Sequence, residues 1–503
     1  MIALPTKGAD NVHSPAKPDH NCRPSANKVE AVAQRDKGAD LIPKDIVQKV
    51  LSTAVSTGGE FAEIFVEDKK SSSAAFDDGK VEELSSGISR GAGIRVVIGD
   101  TTGFAHTADL SELGLMRAAE AARTVALSSR VQKETVALES QRAYGFPESV
   151  FVPDEVGKRE KIELLERMNH AARSTSGSIK QVSAGYGDSH RKILVANTDG
   201  VYAMDEQVRT RIAVSVVAFG DTGMQTGYET SALTMGFEMF EFTDVEELAA
   251  LAAHRALRKL SARPAPSGIM PVVLQGGSGG ILFHEACGHG LEADHILKDS
   301  SVYKGRVGEM VASPLVTLID NGTISGKWGS AGIDDEGMAS QENVLIQDGV
   351  LTDYMWDGLR ARKFSRTSSG NGRRQSYQHL PMVRMTNTYL LEGTDTPGTI
   401  LENTKNGVYV ARLGGGQVNT ATGDFVFGMT EAYIIENGEI TEPLRDANLI
   451  GNGPEVLKNI DAVANDFSIT PGTCGKDGQS VPVGCGQATV RITGVTIGGT
   501  ANG

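Results

Sequence analysis

Cysteine is scarce in this chain. Its 503 residues hold four, Cys22, Cys287, Cys474 and Cys485, and no two form a CxxC pair. That excludes a dense disulfide framework and leaves each thiol free to react or to bind a metal, the usage of a reducing compartment. Aromatics are scarce too, at 5%, whereas glycines number 59. So many glycines and so few rings imply frequent turns and hence a strand-rich fold. No apolar run approaches the ~20 residues that cross a bilayer. The first twenty residues, MIALPTKGADNVHSPAKPDH, carry no apolar core of the secretory kind. An excess of positive charge is also missing. The 49 Lys and Arg face 63 Asp and Glu, for a net charge of −14, and a phosphate backbone needs a basic partner surface. A nucleic-acid or membrane partner is therefore not expected, and the cytoplasm is the expected location. With 40% hydrophobic and 22% charged residues, the composition fits a globular protein.

The order of patterns predicts an α+β fold: N-terminal α/β units with antiparallel sheets, followed by a β-rich C-terminal domain. Residues 1–44 are polar, lack sustained periodicity and predict a disordered tail. A first α+β unit is expected over 45–130. It opens on a helix in which Ile46, Val47, Val50, Leu51 and Ala54 recur at helical spacing. Short strands should follow (AEIFVED, SSAAFDDG, KVEELSSG, GAGIRVVIG, TGFAHTA), and then the helix SELGLMRAAEAARTVA. A second unit over 145–262 repeats the order: helix KREKIELLERMNHAAR, several strands with a hairpin at NTDG, and helix DVEELAALAAHRALRKL. SARPAPSG reads as a linker. From 268 to 503 the chain is mostly short strands with Gly, Asn and Asp turns, apart from one helix that follows IMPVVLQ.

That helix carries the chemistry, in GGSGGILFHEACGHGLEADH (276–295). His284 and His289 are five residues apart, with Glu285 directly after the first. At ~100° per residue, five steps leave two side chains about 140° apart around a regular helix. They could share one ion only if the helix is rewound or broken. The glycines at 288 and 290 could end it, and a π-type widening is the other remedy. A hydrolytic zinc needs three protein ligands and one open position. The third is missing here, so Cys474 and Cys485, in Gly-rich loops, are candidates by the softness of their sulfur. Cys287, three residues after His284, would share its helix face and competes. Glu285 is the candidate general base.

FHEACGHGLEADH resembles the His-Glu-x-x-x-His motif of the TldD/PmbA family of zinc metallopeptidases. GSAGIDDEG (329–337), GNGRRQSYQHLPMVRMTNTY (370–389), GGGQVNTATGDFVF (414–427) and CGKDGQSVPVGCGQ (474–487) resemble the same family. The likeness covers about residues 45 to 503. It implies zinc held by His284, His289 and Cys474, with Glu285 as the base. Cys287 and Cys485 then fall at positions where the family is variable. It also implies a dimer around an enclosed cavity, with a PmbA/TldE-type paralogue or a second copy. The implied substrates are unstructured peptides or unfolded small proteins. Because this chain keeps the motif that the PmbA branch lacks, it resembles the catalytic subunit.

Other residues enter as substrate-side candidates. In GNGRRQSYQHLP, Arg373 and Arg374 could bind a peptide carboxylate, and Tyr377 or His379 could stabilise an oxyanion. Gly415, Gly416 and Gln417 of LGGGQVNT could form a wall along which a peptide adds as an extra strand. His295 is a candidate partner to a ligand histidine. Two other functions fit the same residues: a hydrolase with Cys474 as nucleophile, and a non-catalytic subunit with a closed structural zinc.

Overall fold

The computed structural model describes residues 41–126, 137–146, 149 and 152–499. Of the expected tail over 1–44, residues up to 40 lie outside the described residues, whereas its last four are ordered: Ile42 is buried in the core and Lys44 opens the first helix. Among the described residues, four helices and a seven-stranded sheet build the N-terminal half. Helix α1 (Lys44–Val55) buries Val47, Val50, Leu51 and Ala54, the i, i+3, i+4, i+7 stripe of an amphipathic helix. Helix α2 (Glu112–Ala122) starts where the Ser111 hydroxyl accepts from the Gly114 N–H. Helix α3 (Lys158–Ser174) buries Leu164, Leu165, Met168 and Ala172. Helix α4 (Val245–Leu260) is capped by Asp244, whose carboxylate accepts from the Glu246 and Glu247 N–H groups.

The sheet contains strands β1 (Phe61–Asp77), β2 (Lys80–Ile98), β3 (Thr101–Thr107), β4 (Glu139–Ser140), β5 (Ile179–Asn197), β6 (Val201–Gly220) and β7 (Gly223–Leu233). Its order is β3-β2-β1-β5-β6-β7, antiparallel throughout, with β4 pairing parallel to β6. The four short strands expected over 62–99 are two long ones. The serine-rich stretches need no left-handed residue, so nothing in them stops a strand. The turn falls at Asp78 and Gly79, which have φ of 46° and 85°, the positive pair that a type I′ hairpin requires. NTDG does turn as expected, with Gly200 at φ 94°. The strands of the two expected N-terminal units join edge to edge. β1 pairs with β5 from Glu63–Asn197 to Asp77–Ser183.

Alternation along β1 assigns the two faces of this sheet. Ala62, Ile64 and Val66 point toward α1 and α2, and Ala74 and Phe76 pack with α3 and α4 in a second cluster. Glu63, Phe65 and Glu67 point the other way, where Phe65 packs with Ile333 and Tyr377 of the C-terminal half. The glutamates there are buried against arginines. Glu63 accepts from Arg95 at 2.9 Å and from Arg374 at 2.5 Å, and Glu67 accepts from Arg191 at 2.5 Å.

The C-terminal half contains two further large sheets. One includes the strands Leu318–Asn321, Glu342–Gln347, Asn387–Leu390, Ser468–Lys476 and Gln479–Gln487. The other includes Gly268–Leu274, Asn406–Val418, Asp424–Glu436, Ala447–Asn452 and Val490–Gly498. A broken helical segment, residues 280–297, packs into the core between them, where Leu282, Phe283 and Leu291 meet Met385, Val410 and Phe427. The expected linker SARPAPSG contributes a short strand, Arg263–Pro264, paired with Leu444–Arg445. Among the described residues no helix is long and apolar enough to cross a membrane.

Candidate metal centre

The segment carrying the histidines passes through three windings in succession. Residues Gly280–Phe283 are α-helical, His284–Gly288 form one π turn, and His289–Leu291 are 3₁₀. The His289 N–H bonds to the His284 carbonyl, the i→i+5 bond of a π turn. That bond sets the two residues one turn apart, so both imidazoles emerge on one side. Their ring centroids are 5.0 Å apart at an interplanar angle of 83°. Of the two remedies expected for the odd spacing, the widening operates and the break does not. Gly288 keeps helical angles, φ −55° and ψ −52°. Its lack of a side chain serves packing instead: a Cβ there would come within 2.1 Å of the Met385 sulfur. Gly288→Ala is therefore expected to cost about 1–3 kcal/mol, the usual penalty of overpacking, and to weaken metal binding by displacing His289. Thermal denaturation with and without added zinc measures both effects.

Cys474 reaches the pair from the hairpin 468–487. Its sulfur lies 3.4 Å from His289 Nε2. One donor atom each from His284, His289 and Cys474 all lie within 4.8 Å of one another, and all three residues are buried. Zn–N bonds of about 2.0–2.1 Å and a Zn–S bond of about 2.3 Å, at a tetrahedral angle, put N and S about 3.5 Å apart. The observed separation matches. Among the described residues, both ring nitrogens of His284 are buried without a hydrogen-bond partner, and buried polar atoms are rarely left so. A cation satisfies this requirement, so the three donors fit a zinc ion. Glu285 stands beside them, 23% exposed, with Oε2 3.8 Å from His289 Nε2.

The protonation of the site fits the same chemistry. Burial disfavours a Cys474 thiolate, but His284 and His289 beside it bring the thiol down to about 4. Burial likewise opposes charge on His289, yet Glu292 and Cys474 raise it to about 10. Burial also opposes charge on His284, and the Cys485 and Cys474 sulfurs raise it well above its ordinary value. Without metal, the two imidazoles and the thiol each favour the other's charged form. Metal entry must release the protons on these groups, so affinity rises with pH. Burial pushes the Cys287 thiol up to about 12, and it faces the Tyr303 hydroxyl as an inert neutral group. Cys485 borders His284 but stands outside the set of mutually close donors.

Two residues the sequence reading passed over hold the donors in place. Glu292 accepts from His289 Nδ1 at 2.9 Å, which frees Nε2 to face Cys474. Burial works against the Glu292 charge, but His289 and Lys476 hold it well below the usual carboxylate range. The Lys476 ammonium donates to Glu292 and Asp294, both at 2.8 Å, and to the Val383 carbonyl at 3.1 Å. It thereby ties the Cys474 strand to the histidine segment and fills the space among Glu292, Asp294 and His295. A carboxylate three residues after a ligand histidine was a readable signal, and Lys476 was not. Arg384, fully buried, fixes the Cys474 carbonyl at 2.5 Å.

The substrate-side candidates separate. Arg374 is fully buried, donates to Glu63, and lies over the Phe65 ring at 4.3 Å, so it is not open to a peptide carboxylate. Tyr377 is buried against the glycines 91 and 93 of β2 and the His106 ring, a packing role rather than an oxyanion one. The polar character of the loop concealed these internal partners, because they lie about 300 residues away. His379 bonds Ser376 at 2.9 Å and is partly exposed. Arg373 donates to the Met385 and Pro482 carbonyls and borders a cavity. Gly414 and Gly415 interrupt the ladder between Leu413–Met429 and Gly416–Phe427. Gly415 borders a second cavity of about 290 Å³, shared with Cys485 and with residues of β7 and α4. Gln417 is exposed on the same strand.

Two histidines on a π turn, a cysteine from a hairpin and a carboxylate at the rim form a set of groups that fits the donors and base of a metal-dependent hydrolase. The chain matches the models of PmbA/TldA metallopeptidase domain 1 over residues 62–126, the central domain over 151–260 and the C-terminal domain over 267–499. It is 40% identical to the metalloprotease TldD homolog of Haemophilus influenzae, over 88% of this chain and 93% of that one. A zinc metalloprotease TldD homolog of Saccharolobus solfataricus is 28% identical over 90% and 99%. TldE from Thermococcus kodakarensis shares the fold, with a TM-score of 0.72 at 19% identity over 90% of this chain and 99% of that one. The chain belongs to the PmbA/TldD metallopeptidase family and is a metalloprotease.

Proposed function

We propose that this metalloprotease holds zinc between His284, His289 and Cys474 and hydrolyses unfolded peptides with Glu285 as general base. The observation that carries the reading is the π turn that brings two histidines, five residues apart, to one thiolate. When bound, zinc polarises the scissile carbonyl and lowers the pKa of water to about 7. Glu285 takes the proton of the attacking water as the new C–O bond forms. It then returns that proton to the amine nitrogen as the C–N bond breaks. Glu292 holds the His289 ring in the tautomer that offers Nε2.

The peptide lies extended along the strand Asn406–Val418. That strand pairs with Gly268–Leu274 only over Val408–Val410, which leaves its edge open beyond residue 410, beside the 290 Å³ cavity. Backbone pairing at such an edge gives affinity with little sequence preference, which suits unfolded chains. A dimer with a PmbA/TldE-type paralogue or a second copy completes the enzyme. In its favour, β2 from Lys80 to Arg90 is exposed along its whole length, with Ile88 73% exposed, and β3 covers only residues 92–98. An exposed edge of that length is a pairing template unless another chain covers it.

Removing the metal tests the reading. A chelator is expected to abolish cleavage of a pool of unfolded peptides, as followed by mass spectrometry, and zinc is expected to restore it. If Cys474 were instead a nucleophile, its thiolate would persist between the two imidazoles without metal, and chelation would leave activity intact or raise it.

A further inference from the structure

The cavity that Arg373 borders, of about 220 Å³, lies beside the Cys474 hairpin. Thr473, next to Cys474, and Val481, its partner in the ladder, both line it. Its remaining wall is unusually cationic for a chain of net charge −14. Lys69 of β1, Arg191 of β5, Arg209 of β6 and Arg373 all contribute to it. Buried charges are expected to be paired, yet among the described residues Arg209 and Arg373 bond no carboxylate, and Lys69 stands half-buried beside them. Lys69 has no hydrogen-bond or ion-pair partner among the described residues. Arg191 is bonded to Glu67 and Asp335, but its Nη2 is buried with no acceptor. Arg209 donates only to neutral oxygens: the Trp328 and Ser330 carbonyls and Gln207. Arg373 likewise bonds only two backbone carbonyls. Burial and repulsion from Arg373 and Arg191 press the Arg209 guanidinium down to about 9. Of the two carboxylates in the wall, Asp334 is pushed well above its ordinary range by burial and by Glu336. Asp335 is already engaged by Arg191 and by the Arg374 N–H.

We propose that this cavity is a carboxylate-binding subsite beside the catalytic centre, which takes the C-terminal carboxylate or an acidic side chain of a bound peptide. Guanidinium groups match a carboxylate with two parallel N–H···O bonds, and an ammonium adds a third donor. The volume is below the ~300–1,000 Å³ of sites for larger ligands, so it has room for the end of a peptide rather than a cofactor. The Arg373 guanidinium donates to the Pro482 carbonyl at 2.8 Å, and Pro482 pairs with Thr473, the residue next to Cys474. A carboxylate held here therefore lies near the reacting bond, and cleavage is directed toward peptide ends or acidic residues. The proposal rests on the peptidase reading above.

The test separates the two by measuring binding without hydrolysis. Three matched peptides are titrated by calorimetry into zinc-loaded full-length Glu285→Gln protein. One is neutral with a free C-terminus, one is the same peptide amidated, and one is amidated with a single glutamate. One or both carboxylate-bearing peptides should bind about tenfold more tightly than the neutral amide, and which of them does so identifies the source of the carboxylate. Lys69→Gln should reduce that ratio several-fold while leaving the amide unchanged, which also reports an intact fold. Equal affinities for all three peptides, or a preference untouched by both Lys69→Gln and Arg209→Gln, would overturn the subsite. Wild-type protein that shows the binding preference but cleaves nothing would sink the peptidase reading and leave the subsite standing.

Discussion

Glu285→Gln is expected to lose hydrolysis of unfolded peptides by at least the ~10²–10⁴-fold that a positioned general base contributes, with zinc still bound. The amide has nearly the shape of the carboxylate but cannot accept a proton from water. Glu285 sits in the π turn between the two histidines, and its carboxylate is 3.8 Å from the nearer ligand nitrogen. It is close enough to receive a proton at the metal position, and it is partly exposed, so substrate can reach it. It forms no bond that fixes either imidazole, because Glu292 performs that task for His289. The loss should therefore fall on kcat, with KM and metal content near the wild-type values. Steady-state kinetics on one peptide, together with metal analysis of the same sample, measure all three. Activity within a few-fold of wild type would remove Glu285 from the mechanism. Loss of zinc from the variant would make it a structural residue instead.

Much of this site could be read from the chain before its fold was known, and the reasons are local. His284, Glu285 and His289 lie within six residues, so helical arithmetic alone exposed the conflict in their spacing and both ways out of it. The choice between those ways was not local. The space at that turn is bounded by Met385 and Tyr303, from elsewhere in the chain, which leave no room for a Cβ at 288 or 290. Cys474 was named among the ligands through family resemblance, because the chemistry of sulfur left Cys485 and Cys287 equally eligible. The long strands were missed because serine runs look like turns, although only Asp78 and Gly79 take the backbone angles of one. The burial of Arg374 is hidden in the sequence for a related reason. A charged pair in a polar loop looks solvated until the sheet that carries Glu63 folds over it.

Cys474→Ser is expected to weaken zinc binding by more than the roughly 10–100-fold that loss of an outer-shell partner costs. The hydroxyl has almost the same shape as the thiol but stays protonated at neutral pH and is a harder donor. Cys474 is buried with Val481, Val483 and Cys485, so a near-isosteric change should leave the hairpin folded and confine the loss to the metal. Cys287→Ser, a change to a neutral buried thiol outside the donor set, should leave zinc affinity almost untouched. X-ray absorption on the zinc-loaded wild-type protein tests the coordination directly. Two nitrogen scatterers at about 2.0–2.1 Å, one sulfur at about 2.3 Å and one further light atom are expected, with the sulfur shell vanishing in Cys474→Ser. A spectrum without sulfur, or one with two, would contradict a centre built from His284, His289 and Cys474.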